Sequence, residues 1–555
     1  MKNIMTPWQR FVSLLQLDKK DIKQLFYYAI FAGLVALSLP LGIQAIINLI
    51  QGAQISSSWI VLVVLVTLGV AFQGALQLMQ IRILENIQRK IFTRSSFEFS
   101  YRFPKIKTSE FHNYYPPELA NRFFDTLVVQ KGLSKILIDF PSAALQIILG
   151  IMLLSFYHTF FILYGVLLIG LIYVVFNFTA EKGLETSLKE SKAKYQVAHW
   201  IQEIARSLVS FKISSKTNLA MQKNDEFTTK YLEARESHFK ILVIQFIQMI
   251  GFKILVTGGL LIIGGLLVLN QQMNIGQFVA AEIVILLIIS SVEKLIKGLE
   301  TFYDVLTSLE KIGQLVDKEL EPQKGVDPFE THEDLQVELN GVFYETEDGT
   351  KILKDVSLII NPKDRIQIQG ASGSGKTTLL KLLSGIISPT SGSIYINNAS
   401  IKGVYLNKFR SKIGQVLPGQ QPFGGTILEN ITLGNKEITK DRLHEVLKNL
   451  GLLDFIKEQP KGINELLGAD GIHIPHTISR KIVLARAIVH EPKLLILKDP
   501  LEHFEPKEMQ KIIDYLTDKS HPWAIIVSSK GSLWANVCED KMKIKNKKIK
   551  KISNA

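Results

Sequence analysis

Gly370-Ala371-Ser372-Gly373-Ser374-Gly375-Lys376-Thr377-Thr378 is the most informative stretch of this 555-residue chain. A strand-like run, Ile366-Gln367-Ile368, leads into it, and a helical pattern, Leu379–Ser384, follows it. The spacing is G-x-x-x-x-G-K-[ST] in a strand–loop–helix context. Glycines admit backbone conformations that other residues avoid. Consecutive N–H groups can therefore turn inward around a phosphate chain at the positive end of the helix. Lys376 is long enough to reach the outer phosphates, and the Thr377 hydroxyl can ligate Mg²⁺. The stretch predicts an α/β domain that grips a phosphate chain through Gly370–Thr378.

The composition changes upstream of this domain. Glu319–Phe329 (ELEPQKGVDPF) is a Pro/Gly/acid linker. Before it lie six apolar stretches, at 24–50, 57–81, 136–157, 159–178, 239–270 and 277–297, each about the 20 residues a helix needs to cross a membrane. They form three hairpins whose inner turns, Gln51–Ser56, Tyr157-His158 and Asn270–Asn274, carry no charge. The long segments between hairpins are basic, with Arg89, Lys90, Arg94, Arg102, Lys105 and Lys107 in one and Lys189, Lys192, Lys194, Arg206, Lys212 and Lys216 in the other. That bias predicts both long loops and both termini in the cytoplasm. It also accounts for the net charge of +13 without nucleic acid as a partner. A hydrophobic content of 47% excludes disorder, and the single cysteine, Cys538, excludes a disulfide framework or a multi-thiolate metal site. The expected organisation is an amphipathic interfacial segment at 1–23, a six-helix transmembrane domain at 24–315, a linker at 316–334 and the phosphate-binding domain at 335–555. Lys253 and Glu293 fall at a similar depth, about 25 Å from the outer turn at 1.5 Å per residue. They are placed either to pair or to snorkel separately to the inner interface. Glu282, nearer the outside, is a candidate for lining an aqueous cavity.

The order of further motifs resembles ABC transporters of the exporter type, in which one membrane domain is fused to one nucleotide-binding domain. Phe111–Asp125 (FHNYYPPELANRFFD) is similar to their first coupling loop, and Asn274–Ala281 (NIGQFVAA) to the start of their sixth helix. Pro389–Ile394 (PTSGSI), Gly425–Ile431 (GTILENI) and Ile482–Ala487 (IVLARA) match in the soluble half. The resemblance implies an all-α six-helix transmembrane domain followed by an α/β P-loop domain, set in a bacterial inner or plasma membrane. It also implies ATP as the ligand of Gly370–Thr378, with Mg²⁺ held through the nucleotide by Thr377. The partners it implies are the lipid bilayer and a second half-transporter, identical or not, because in this family two domains sandwich two nucleotides.

The same alignment exposes departures at the catalytic positions. The family's metal-binding glutamine falls on Pro418, with Gln420 and Gln421 out of register. The signature L-S-G-G-Q falls on Ile474-Pro475-His476-Thr477-Ile478, where Pro475 lacks an N–H and His476 and Thr477 add side chains at a point of close approach. The strand Leu494–Leu497 is followed by Lys498-Asp499 in place of Asp-Glu, and the switch histidine falls on Ser529. Glu502–Glu505 (EHFE) replaces the dimer-facing S-A-L-D, and the adenine-stacking position falls on Glu345 or Thr346, with Phe343 and Tyr344 as alternatives. An ammonium repels a divalent ion by about 8 kcal/mol at 4 Å and an effective dielectric of 20. Weak Mg²⁺ binding is therefore expected. Lys498 has two readings, a substitute cation for the phosphates or a lysine turned to water. The resulting expectation is an ATP-binding exporter subunit with impaired or absent hydrolysis that acts beside a competent half-transporter. The alternatives are a nucleotide-stabilised membrane scaffold or regulator without transport, and an active homodimeric exporter.

Overall fold

The structure, a computed structural model, describes residues 5–51, 57–112, 114–213, 217–330, 332–529 and 532–552, with the side chains of 171 and 174–180 also outside the description. The turn residues 52–56, Asn113 of the coupling-loop motif and Lys216 thus lie outside the described residues. The chain divides into two compact units. One comprises Met1–Lys105 and Asn113–Lys318; the other comprises Ile106–His112 and Glu319–Ala555.

The first unit is helical. Its elements are α1 (Pro7–Leu17), α2 (Lys19–Ala36), α3 (Ser38–Gln51), α4 (Ser57–Arg102), α5 (Pro116–Ala120), α6 (Asp125–Tyr157), α7 (Phe160–Arg206), α8 (Leu208–Ile213), α9 (Leu219–Leu269) and α10 (Ile275–Val316). Among the described residues, five helical stretches are long and apolar enough to cross a membrane: Lys19–Gln51, Ser57–Lys105, Pro116–Tyr157, Leu219–Leu269 and Ile275–Val316. The expected stretch at 159–178 opens α7, where Phe160–Gly170 is a shorter apolar run. The chain is a multi-pass membrane protein. At 46, 47 and 51 residues, α4, α7 and α9 far exceed a hydrocarbon core of about 30 Å at 1.5 Å per residue. The apolar patterns therefore run on into polar, charged helix.

α10 is the central helix of this unit, with Ala280, Ala281, Val284, Ile285 and Ile288 enclosed. Amides tie the helices together: Ser291 Oγ donates to Gln146 Oε1 at 2.7 Å, Tyr157 OH to Gln44 Oε1 at 2.8 Å, and Gln245 Nε2 to Tyr303 OH at 3.0 Å. Lys253 and Glu293 do pair, Nζ to Oε2 at 2.6 Å, and Lys297 reaches the other oxygen at 2.6 Å. Glu282 is exposed. The amphipathic segment is helical over Pro7–Leu17, opened by a Thr6–Gln9 capping box. Phe11 is buried against Phe302, and Arg10 binds both Glu310 and Asp317 near the end of α10. Trp8 and Leu17 stay exposed.

The second unit holds β1 (Val337–Glu345), β2 (Lys351–Ile360), β3 (Arg365–Gly370), β4 (Ser391–Ile396), β5 (Ala399–Ser400), β6 (Ile413–Val416), β7 (Gly425–Thr426), β8 (Leu466–Leu467), β9 (Leu494–Lys498), β10 (Ala524–Ser528), β11 (Asp540–Lys545) and β12 (Lys548–Lys551). The main sheet runs β12-β11-β3-β10-β9-β6 and is parallel except for β12. A second, antiparallel sheet runs β2-β1-β4-β5. β9 and β10 read as continuous apolar runs (LLIL and AIIV) because a parallel sheet is covered on both faces. The exposed edge, β12, is a lysine-rich KIKK, which discourages pairing with another chain. Ile106–His112, which precedes α5 in the chain, belongs to this unit: Ile106 bridges Leu320, and Lys107 N donates to Glu319 O at 2.9 Å.

Candidate functional site

β3, β10 and β9 are adjacent and parallel, so their carboxyl ends open on one edge of the sheet, where α/β folds bind ligands. A cavity of about 700 Å³ lies there. Its floor is the loop Gly370–Gly375, and the helix Lys376–Leu383 starts at its rim. Gly373 and Gly375 have φ of +76° and +98°, and a Cβ on Gly375 would sit 2.9 Å from Leu353 Cδ2. Only glycine fits there. Four enclosed leucines, Leu379, Leu380, Leu382 and Leu383, fix the helix to the core, so the first-turn N–H groups are aimed rigidly. Lys376 Nζ donates to the carbonyls of Gly370 at 2.8 Å and Ala371 at 2.6 Å. Thr377 and Thr378 line the same space, as do Ser372 and Ser374.

The cavity also gathers Lys498, Asp499 and Ser529. Lys498 ends β9 opposite Ser528 of β10, is 15% exposed, and is ion-paired with Asp499. Asp499 turns with φ +42° and donates its N–H to Ser528 O at 2.9 Å. Lys498 thus lines the cavity rather than turning fully to water. Pro418 is exposed and not on the cavity wall. Neither neighbouring glutamine lines the wall. Gln420 Oε1 accepts from Leu417 N at 2.9 Å, and Gln421 Oε1 from Ser479 Oγ at 3.0 Å. Ile474–Ile478 stands apart from the cavity: Pro475 caps the helix His476–Ile488, with His476 exposed and 5.8 Å, ring to ring, from His503.

Tyr344, Glu345 and Thr346 line a different cavity of the second unit, about 350 Å³, together with Lys107, His112 and Thr390. His112 Nδ1 lies 3.6 Å from Glu347 Oε1 across it. Burial pushes the Tyr344 phenol up. Sequence reasoning missed Ile352, Gln367, Ser528, Ser532 and Ala535, all on the phosphate cavity wall. Ser528 was within reach, since it ends a strand parallel to the one that opens the loop. Ile352 belongs to the far sheet, and no local pattern marks it.

Among the described residues, the side-chain oxygens of the cavity wall are the Thr377 and Thr378 hydroxyls, the serine hydroxyls, the Gln367 and Gln369 carboxamides, and one carboxylate, Asp499, already engaged by an ammonium. A hard divalent cation prefers several oxygens, carboxylates foremost.

Residues 353–502 match the family profile for the ABC transporter. The chain is 30% identical over 233 residues to the ATP-dependent lipid A-core flippase of Burkholderia pseudomallei (strain 1710b), covering 41% of this chain and 39% of that protein. It is also 30% identical over 232 residues to the alpha-hemolysin translocation ATP-binding protein HlyB of Escherichia coli O157:H7, covering 42% of this chain and 33% of that one. The chain therefore spans well under half the length of these curated relatives. A solved structure of a bacterial Atm1-family ABC exporter with ATP bound superposes with a TM-score of 0.82 at 15% identity, over 96% of this chain and 94% of that one. Residues 353–502 are an ABC transporter domain, a domain type that implies ATP binding, and the chain that carries it has the fold of an ABC exporter.

Proposed function

We propose that the chain is an exporter subunit that binds ATP at Gly370–Thr378, hydrolyses it poorly or not at all, and works beside a catalytically competent half-transporter in a bacterial inner membrane. The basic segments between its helical hairpins, and both termini, face the cytoplasm under the positive-inside bias. The observation that carries the reading is the Lys498–Asp499 ion pair in the phosphate cavity. General-base catalysis needs a carboxylate free to accept a proton from water. Asp499 is instead occupied by an ammonium, and Ser529 brings no imidazole. Pro475 and His476 would leave a facing site without the glycine N–H groups that cap a terminal phosphate. A site that joins this chain's phosphate loop to an intact signature, or the reverse, keeps half the machinery. A pair containing one competent subunit therefore retains turnover at the site built on that subunit's loop. Nucleotide binding by this chain supplies the closing contact rather than the chemistry.

The test uses the purified chain in lipid nanodiscs. ATP binding with no vanadate-sensitive hydrolysis is expected, and hydrolysis on co-assembly with a competent half-transporter from the same cell. Vanadate-sensitive turnover by the chain alone refutes the proposal.

A further inference from the structure

Among the described residues, the charged side chains on the cavity wall are two lysines, Lys376 and Lys498, against one carboxylate, Asp499. That balance is the reverse of what a divalent cation needs and suits the tetra-anionic tail of a nucleoside triphosphate. We infer that this site binds its nucleotide without a metal ion, with the Lys498 ammonium taking the place of the divalent cation between the phosphates and the end of β9. The inference rests on the reading of the cavity as an ATP site.

The geometry supports the exchange. Lys498 ends a central strand, its Cα in register with Ser528 of β10 and one residue beyond the last β6 pair, Val416 with Leu497. Its side chain is 15% exposed, which confines the ammonium to the cavity mouth. An ammonium has three donors and no acceptor. One donor is committed to Asp499, which leaves two N–H groups with which an anion in the cavity could bond. Asp499 then acts as a positioning residue: its N–H is fixed to Ser528, and its carboxylate holds the Lys498 ammonium. Lys376 lines the same cavity, at the start of the helix. The two ammoniums bracket the phosphate tail, and the positive helix end and loop N–H groups close the third side.

The experiment is titration of ATP into the full-length protein in nanodiscs, once with excess EDTA and once with excess Mg²⁺. The wild-type dissociation constants are expected to agree within about threefold. Lys498→Met should weaken binding in EDTA by roughly 10- to 100-fold, the scale of one charge-assisted hydrogen bond. Lys498→Asp should lose binding in EDTA and recover it with Mg²⁺, while Lys376→Ala should weaken it about 100-fold in both. A wild type that binds about tenfold or more tightly with Mg²⁺ overturns the inference and leaves the ATP site standing. So does a Lys498→Met protein that binds like wild type in EDTA. A wild type that binds in neither buffer removes the ATP site, and this inference with it. The wild-type titrations need no variant to fold, so the outcome does not depend on the mutants.

Discussion

Lys376→Ala isolates the phosphate loop as a nucleotide site. In the wild type, ATP at about 100 times its dissociation constant stabilises the folded state by about 2.7 kcal/mol. For a unit of roughly 240 residues, 1 kcal/mol is worth about 2–4 °C, so the second unit should melt about 5–11 °C higher with ATP. Removing Lys376 deletes bonds to Gly370 and Ala371 carbonyls, at a cost of about 1 kcal/mol and hence about 2–4 °C without ligand. Losing the charged contact to phosphate should weaken binding about 100-fold. At the same ATP concentration that leaves about 0.4 kcal/mol, or a shift of about 1–2 °C. Cys538 supplies the assay. It is the only cysteine in the chain, 5% exposed in the second unit, and burial pushes its thiol up to about 12. Native protein should resist alkylation at neutral pH and react as the second unit opens, so pulsed alkylation against temperature reports that unit alone. A Lys376→Ala protein that keeps the full ATP shift would refute the assignment of the loop.

Gly313→Ala places a Cβ 2.3 Å from Arg10 Cζ, so it should unseat Arg10 from Asp317 and cost about 1–3 kcal/mol. Thermal unfolding of the single and double variants checks it: Arg10→Ala and Gly313→Ala should be strongly non-additive. Lys253→Met leaves Glu293 paired with Lys297 and should cost under about 1 kcal/mol, whereas Glu293→Ala strands two lysines within one helix pair and should cost about 2 kcal/mol or more, compared by unfolding in nanodiscs. Burial, with Arg442 nearby, pushes His521 below its ordinary range, and its ring stacks on Trp523 at 4.0 Å. The unfolded chain then binds more protons, so stability of the second unit should fall as pH drops through about 6.5. His521→Phe should flatten that fall in an unfolding titration from neutral to mildly acidic pH; an unchanged slope would exclude His521 as the cause.

The phosphate loop was legible because its chemistry is local: glycine spacing, one lysine and one threonine set the turn, and the flanking apolar runs set the strand and helix. The apolar stretches were legible for a similar reason, since bilayer thickness imposes a length on each helix. Reading stopped where neighbours decide. No sequence pattern distinguishes Lys498 turned into a cavity from Lys498 turned to water; the register of β9 beside β10 does. Nor does any local pattern show that Gln44, Gln146 and Gln245 of the membrane helices bond one helix to another. Depth arithmetic allowed the Lys253–Glu293 pair but gave no sign that Lys297 would share the carboxylate.

The seven residues Ile106–His112 make the second unit discontinuous along the chain. Ile106 leaves the ribosome roughly 200 residues before its bridge partner Leu320, an interval of about 10–40 s at 5–20 residues per second. For that time the segment lacks its partner, and the soluble half cannot be completed from its own contiguous stretch. A fragment beginning at Glu319 would carry Leu320 without its bridge and Glu319 without Lys107. Such a fragment is a truncation of the second unit, and its solubility or affinity would describe a wounded domain.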